Sequence, residues 1–211
     1  MGTHGTADEE PDRWTAKGMA TRTRIVTAAA DLMHKRGVAN TGLEDIRRAA
    51  RISNSQLYHY FHDKTDLVRA VVAHQGDKVV GSEERLWSEL DSFEALRAWQ
   101  SKIVSYVSET HGYGGCPIGS LASELADIDE GARIALDANF TFWETAIRGG
   151  LVSMRERGEL REDADPAHLA LATLAALQGG LLLAKTRRHS EPVRVALDAA
   201  ISHIRSFAAQ P

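Results

Sequence analysis

The side chains most able to recognise another molecule lie between residues 54 and 59. Asn54, Ser55, Gln56, Tyr58 and His59 are hydrogen-bonding groups, and the segment contains none of the Lys and Glu that usually cover a solvated helix face. Amide side chains can bond adenine N6 and N7 bidentately in the major groove of DNA. We interpret this cluster as a surface that contacts base edges, and a solvated helix face is the alternative.

Two short helices are predicted to position this cluster. Apolar residues at helical spacing predict a helix from near Gly42 to near Ala50, and Thr41 stands ahead of it as a side chain able to cap free amides. A second helix follows Ser53, a potential cap, and its buried face would be formed by Leu57, Tyr60 and Phe61. Two helices joined by a tight turn are how many proteins place one helix in a DNA groove.

Two further helices are predicted to flank this pair. An apolar stripe runs from Ala20 to Arg36, and Gly37 is placed as a C-terminal stop. After Asp63, a good N-cap, another helix continues toward Lys78 and leaves the head. That helix is the natural connection between the head and the rest of the chain.

Residues 20–67 resemble the helix-turn-helix of TetR-family transcriptional repressors. The resemblance lies in Thr41, Ile46, Ala49, Ile52, Ser53, Leu57, Tyr58, Phe61, Lys64 and Leu67. The chain departs from the family pattern at Arg51, where a Gly is usual, at Ser55, near which a Gly or Thr is usual, and at Tyr60, where a His is usual. Arg51 is either mildly strained at a turn position that favours positive φ or a source of positive charge near phosphates.

The resemblance implies a set of DNA-contacting residues. Base edges would be contacted by Asn54, Ser55 and Gln56. Phosphates would be contacted by Tyr58, Lys64 and the hydroxyl of Thr41, together with the free amides at the start of the preceding helix. Two further residues, His59 and Tyr60, stay open between phosphate contact and packing.

The charge distribution agrees with a DNA-binding head. Residues 13–67 hold ten Lys/Arg and five Asp/Glu, a net charge of +5, whereas residues 68–211 hold 15 and 20, a net charge of −5. Residues 1–12 contribute the remaining −4. Phosphate neutralisation supplies most non-specific affinity for DNA, so the basic quarter of the chain is where a polyanion would dock.

The composition is that of a soluble globular protein, with 43% hydrophobic and 26% charged residues among 211. No apolar run approaches the roughly 18 to 20 residues needed to cross a bilayer, and the first 14 residues lack the apolar core of a secretory signal, so we expect a cytoplasmic protein without a membrane partner. Cys116 is the only cysteine, which excludes an internal disulfide and a cysteine-rich metal site. No metal or cofactor is expected.

The remainder of the chain is predicted to be entirely helical. Turn signals divide it into candidate helices at 82–90, 93–110, 118–126, 130–157, 166–187 and 191–208. We therefore expect an all-α fold with three parts: a flexible N-terminal arm at 1–19, a helix-turn-helix head at 20–67, and a helical ligand-binding and dimerisation domain at 68–211.

Two of these helices are the expected dimer interface. Residues 166–187 are apolar over most of the helix circumference, and a helix of that kind must be covered on every side. We predict that this helix and the one at 130–157 form a four-helix bundle with their symmetry mates, as the resemblance also implies. The alternative is that 166–187 is the central helix of a monomer core.

A body this large suggests a second role, the binding of a small molecule. Candidate pocket residues are Trp87, Phe93, Trp99, Ile103, Tyr106, Cys116, Leu121, Phe140, Trp143 and Gln178. The segment Gly114–Glu124 also resembles the GCP-x-G-x-LA-x-E stretch of the LmrA/YxaF-like subgroup of TetR regulators, which implies a flat, mostly apolar effector. The expected function is a repressor that binds a palindromic operator as a dimer and is released by such a molecule.

Two alternatives remain open. One is a DNA-binding protein without an effector, which an enclosed apolar cavity in the body would argue against. The other is a helical enzyme that uses Cys116 as nucleophile and His111 as base, but a lone cysteine beside glycines is more often a small packing residue. No phosphate-binding glycine loop, zinc signature or nucleophile elbow is present in the sequence.

Overall fold

The computed structural model describes residues 15–209, except for the side chains of residues 79–88, and within that part the chain forms α-helices connected by short turns. The helices are α1 Ala16–Arg36, α2 Leu43–Ala50, α3 Asn54–Tyr60, α4 Lys64–Ser88, α5 Phe93–Glu109, α6 Pro117–Leu125, α7 Glu130–Glu156, α8 Pro166–Arg187 and α9 Glu191–Arg205. In this part of the chain the only extended pairing is an isolated bridge between Leu160 and Ala208. The predicted all-α fold is confirmed.

The head consists of α1, α2, α3 and the first turns of α4. Its core includes Ile25, Ile46, Leu57 and Leu67, each no more than 2% exposed. Short helices are only marginally stable by themselves, and capping hydrogen bonds at their ends stabilise them. The predicted N-caps Ser53 and Asp63 are both present. Tertiary packing and caps therefore fix α3, which has only seven residues.

Three helices differ from the prediction by more than one residue at an end. Helix α1 begins at Ala16, four residues early, because Thr15 caps it by accepting a hydrogen bond from Gly18 N. Helix α4 continues through the break expected at residues 81–82 and ends at Ser88, so the connector is longer than predicted. Helix α9 ends at Arg205. The rest of the expected N-terminal arm, residues 1–14, lies outside the described residues.

The body is built around α7 and α8. Helix α7 packs against α4, α6 and α8, and α8 packs most extensively against α9. Gly180 allows the close packing of α8 against α9, since a Cβ at this position would lie 2.8 Å from the Cα of Val193. Within the described residues, α8 alone is long and apolar enough by composition to cross a membrane, contrary to expectation. In this fold it is instead a packed helix of the body.

The part of the predicted dimer interface on α7 stays a prediction. Of the apolar residues that indicated it, Leu136, Trp143, Ile147 and Leu151 are buried inside the protomer, whereas Ile134 is 56% exposed. Exposed apolar stripes lie on the neighbouring pair of helices: on α8 they comprise Leu171, Ala175, Gly179 and Leu182, and on α9 they comprise Val195 and Ala199.

Candidate DNA-reading face and ligand cavity

Helix α3 presents its polar residues to solvent on one face. Asn54, Ser55, Gln56, Tyr58 and His59 are all exposed, and the Tyr58 ring is 59% exposed although it is large and partly apolar. We call these five residues the reading face. The second helix of a helix-turn-helix enters the major groove, so exposed hydrogen-bonding groups on it can contact base edges.

The opposite side of α3 is fixed in the head core. Leu57 and Phe61 are each 2% exposed, and Ile52 in the preceding turn is 5% exposed. The guanidinium of Arg22 lies 5.2 Å from the centroid of the Phe61 ring, which adds a cation–π contact from α1. Tyr60 is half-buried and its ring meets that of His59 edge-on, so this residue contributes to packing.

Part of the reading face also stabilises the start of α3. The Ser53 hydroxyl accepts from Gln56 N at 3.2 Å, and the Gln56 side-chain oxygen accepts from Ser53 N at 3.0 Å, which together form a capping box. The hydroxyls of Ser53 and Ser55 lie 2.9 Å apart. The Gln56 carboxamide therefore has a structural role in addition to its predicted contact with a base, and the capping box uses its oxygen and neither of its two side-chain N–H donors.

The prediction for the Thr41 hydroxyl is wrong in this structure. Thr41 is fully buried, and its hydroxyl donates to the carbonyl of Gly37 at 2.7 Å. The cap position of α2 is occupied by Gly42, which has no side chain to bond the free amides. Those amides remain available for a phosphate, but Thr41 closes the loop between α1 and α2 instead of contacting DNA.

Lys64 lies beside the same loop. Its ammonium donates to the carbonyl of Val38 at 2.7 Å, and the side chain is half-buried. An ammonium has three donors, so two remain for a phosphate oxygen. A phosphate contact by Lys64 therefore stays a prediction, with an added role in holding the loop.

Arg51 ends α2 in the left-handed conformation, at φ 53° and ψ 53°. The turn therefore has the geometry for which the family usually provides Gly. A side chain in this region costs on the order of 1–2 kcal/mol relative to the right-handed helix. The exposed guanidinium is next to the reading face, so mild strain and a phosphate contact can coexist.

The body contains a cavity of about 330 Å³ between α6, α7 and α8 that is partly open to solvent. Three of the predicted ligand-binding residues line it, namely Cys116, Phe140 and Gln178. The other lining residues are Gly115, Gly119, Ser120, Ala122, Ser123, Gly179, Leu181, Leu182 and Lys185. Its volume is at the lower end of the range for small-molecule sites.

The other predicted pocket residues lie elsewhere. Trp99 is in the core, and Trp143 is buried with its ring edge-on to that of Phe140 at 5.7 Å. Leu121 lines a narrow cleft between head and body, and Tyr106 a shallow cleft on the surface. Two more are ordinary packing residues at the edge of the core, Phe93 and Ile103. The Trp87 side chain lies outside the described residues.

The cavity has polar groups of which only Gln178 was among the predicted residues, whereas Lys185 and Ser120 were not. The Lys185 ammonium donates to the Ser120 hydroxyl at 3.1 Å across the gap between α8 and α6. The side-chain nitrogen of Gln178 is buried and has no hydrogen-bond partner. On α8 the lining residues Gln178, Leu182 and Lys185 recur at intervals of four and three, a helical spacing that could have revealed one shared face.

The thiol of Cys116 is a structural group. Its sulfur accepts a hydrogen bond from Gly119 N at 3.3 Å and so caps α6. Burial raises the pKa of this thiol, although the bond from Gly119 opposes the shift. A catalytic thiol needs the opposite environment, one that stabilises the thiolate, so the arrangement does not suit a nucleophile.

Besides the continuous helix α4, hydrogen bonds to the carboxylate of Glu124 connect the head to the body. Glu124 on α6 accepts hydrogen bonds from Val38 N at 2.7 Å and from Ala39 N at 3.3 Å, both in the loop between α1 and α2. Gly37 precedes them at φ 83°, where a Cβ would lie 3.1 Å from both carboxylate oxygens. A second link joins Arg69 of α4 to Asp129, the cap of α7, at 3.1 Å.

Comparison with known proteins matches two parts of the chain to family models. Residues 25–71 match the family model "bacterial regulatory proteins, tetR family", and residues 92–200 match "tetracyclin repressor-like, C-terminal domain". The chain is 31% identical over 170 residues to an uncharacterized HTH-type transcriptional regulator in the lacX 3' region of Lactococcus lactis, covering 78% of this chain and 83% of that protein.

Two further proteins extend this similarity. YxaF of Bacillus subtilis, an uncharacterized HTH-type transcriptional regulator, is 28% identical over 175 residues, which covers 82% of this chain and 88% of YxaF. A solved TetR transcriptional regulator from Chloroflexus aurantiacus superimposes with a TM-score of 0.76 at 27% identity, covering 92% of this chain and 98% of that one.

Proposed function

Because the chain belongs to the TetR family of bacterial transcription regulators, we propose that it is a cytoplasmic repressor that binds a palindromic operator as a dimer and is released by a small molecule. Regulators of this family are generally ligand-responsive repressors. The resemblance of its body to the LmrA/YxaF-like subgroup is confirmed by the relatives. Fold and relatives indicate a transcription regulator, which is not an enzyme.

The observation that supports operator binding most directly is the reading face. Five neighbouring polar residues are exposed on one side of α3, while Leu57 on the other side is fixed in the core. Such a helix can enter the major groove as a rigid unit, and the basic head provides the phosphate attraction. Asn54 is the clearest candidate for a base contact because, unlike Gln56, it takes no part in the capping box.

A dimer is supported by the exposed stripes of α8 and α9. Leu171, Leu182 and Val195 are 54%, 65% and 50% exposed, and the residues between them are small. Two such helices can pack against their symmetry mates as a four-helix bundle. Two reading faces related by a two-fold axis would then contact half-sites about 34 Å apart.

An effector is supported by the cavity between α6, α7 and α8. Its volume and its mixture of apolar and polar residues fit a small molecule, which favours a ligand-responsive regulator over a DNA-binding protein without effector. A ligand weakens operator binding only if it favours an arrangement that does not fit the operator. Helix α4 runs from the head into the body, so its tilt would set the separation of the two heads.

The proposal is tested by selecting bound sites from random duplexes with the purified protein. We expect enrichment of a palindrome, and Asn54→Ala should weaken binding to that site by about 1–3 kcal/mol while sparing binding to random DNA. Sedimentation should give a dimer at micromolar concentration. A folded protein with no preference for any duplex over scrambled competitor would refute operator recognition, and a stable monomer would refute the dimer.

A further inference from the structure

The cavity has a cation and an amide N–H group among its lining residues, and these two groups identify a class of ligand. Lys185 supplies a cation, and Gln178 supplies a buried N–H donor. The two hydroxyls of the lining are already bonded within the protein: Ser120 donates to the carbonyl of Gly114 at 3.3 Å, and Ser123 donates to the carbonyl of Ser120 at 2.9 Å. Among the described residues that line the cavity there is no carboxylate to neutralise the ammonium.

The remaining lining is apolar or small. Phe140, Leu181 and Leu182 provide the apolar surface, and the glycines and Ala122 leave room beside it. The buried amide nitrogen of Gln178 has at most the Cys116 thiol, a weak acceptor, as a partner, and the Lys185 ammonium, bonded to a hydroxyl, is not neutralised by a lining carboxylate. A ligand that satisfies both groups needs an acceptor of negative charge at one end and an apolar body at the other.

We propose that the cavity binds a small organic anion, with a carboxylate or comparable acidic group against Lys185 and Gln178 and an apolar body along Phe140 and Leu181. This assignment rests on the proposed ligand-responsive function. It also changes the expected effector from a mostly apolar molecule to an amphipathic acid. Charge-assisted hydrogen bonds from the ammonium would then favour the acid over a neutral molecule of the same shape.

The test compares acids with the matching neutral amides. Cinnamate, benzoate and octanoate are titrated by calorimetry against cinnamamide, benzamide and octanamide, at a pH where the acids are ionised. At least one acid should bind below about 1 mM and at least tenfold more tightly than its amide, which corresponds to about 1.4 kcal/mol. Lys185→Met should abolish that preference.

Arg187→Met is the matched control, because Arg187 is an exposed cation near the end of the same helix and does not line the cavity. The control should keep the preference for the acid. Equal binding of acid and amide, no binding by any acid, or a preference unaffected by Lys185→Met would each overturn the assignment. Operator selection is done without ligand, so its failure would count against the proposed function and not against the ligand class.

A separate observation concerns the contact between Glu124 and the head. One carboxylate oxygen accepts from two consecutive backbone amides of the loop between α1 and α2, whose Val38 carbonyl accepts from Lys64. The loop leads directly into α2 and thus into the reading helix. On the body side Glu124 belongs to α6, which also lines the cavity through Cys116 and Ser120.

We infer that Glu124 is a positioning residue that fixes the orientation of the head on the body and so the spacing between two reading faces. Glu124→Ala should speed hydrogen exchange at the Val38 and Ala39 amides. The variant should also bind the operator several-fold more weakly. Its affinity should depend less on half-site spacing, so that operators with one base pair added or removed at the centre are bound almost as well as the original. Glu124→Gln should restore much of both properties, because a carboxamide oxygen can accept the same two bonds.

Asp127→Ala is the control, since Asp127 is an exposed carboxylate in the turn after α6. It should leave amide exchange and spacing preference unchanged. Global unfolding is measured for all variants to separate lost folding from lost positioning. If Glu124→Ala retains the wild-type preference for one operator spacing, the positioning role is refuted even where the variant is less stable.

Discussion

The reading face and the cavity are built in different ways. The reading face comes from seven consecutive residues of α3, supported by Leu57 and the capping box within the same helix. The cavity is formed by three consecutive helices, α6, α7 and α8, and its lining residues are spread along the chain from Gly115 to Lys185. A surface formed by one short helix depends on local order, whereas a cavity depends on how separate helices pack against one another.

The largest expected effect tests the local support of the reading face. Leu57→Ala removes a fully packed side chain from beneath α3 and should lower the free energy of unfolding by about 2–5 kcal/mol. Tyr58→Ala, one residue on, removes an exposed ring and should change stability by no more than about 0.5 kcal/mol. Urea denaturation measures both, and similar losses would mean that α3 is not anchored on one side.

The reading face was predictable because its pattern is local. The spacing of Ile52, Leu57 and Phe61 shows which side of α3 is buried, and the cap at Ser53 shows where it begins. Even so, the sequence could not show that the Thr41 hydroxyl bonds Gly37. That bond depends on the path of the loop, which spacing does not describe.

The cavity was predictable only in part. Aromatic residues at helical spacing fill cores as well as pockets, and Trp99 and Trp143 turned out to be packing residues. Lys185 was not predicted as a cavity residue because its hydrogen bond to Ser120 connects two residues that are 65 positions apart in the sequence. The apolar character of α7 indicated a dimer interface, although sequence alone does not distinguish burial within a protomer from burial between two protomers.

A second prediction separates the two roles of Gln56. Gln56→Glu keeps an oxygen that can accept from Ser53 N, so the capping box and the stability should be retained within about 0.5 kcal/mol. The variant loses both amide donors and adds a negative charge on the reading face. Its operator affinity should fall by about 1–3 kcal/mol, measured by fluorescence anisotropy. Unchanged affinity would assign Gln56 to capping alone.

A third prediction concerns the junction between the two regions. The pKa of His34 on α1 is lowered, chiefly by burial and then by the nearby Lys185, and its Nδ1 is buried without a partner. The unfolded chain therefore binds this proton more readily than the folded one, and stability should fall as the pH drops below about 6.5. His34→Gln should reduce that fall between pH 7.5 and 5.5, whereas His168→Gln, at an exposed position on α8, should not.

The smallest expected effect concerns the turn before the reading helix. Arg51→Gly removes the strain of the left-handed conformation. It also increases the conformational entropy of the unfolded chain, which lowers the free energy of unfolding by about 0.4–1 kcal/mol. Because the two effects oppose each other, the net change in the free energy of unfolding should stay within about 1 kcal/mol. If the guanidinium also contacts a phosphate, the slope of log affinity against log salt concentration should become shallower by about 0.9. An unchanged slope, measured on operator and random duplexes, would leave Arg51 with a purely structural role at the turn.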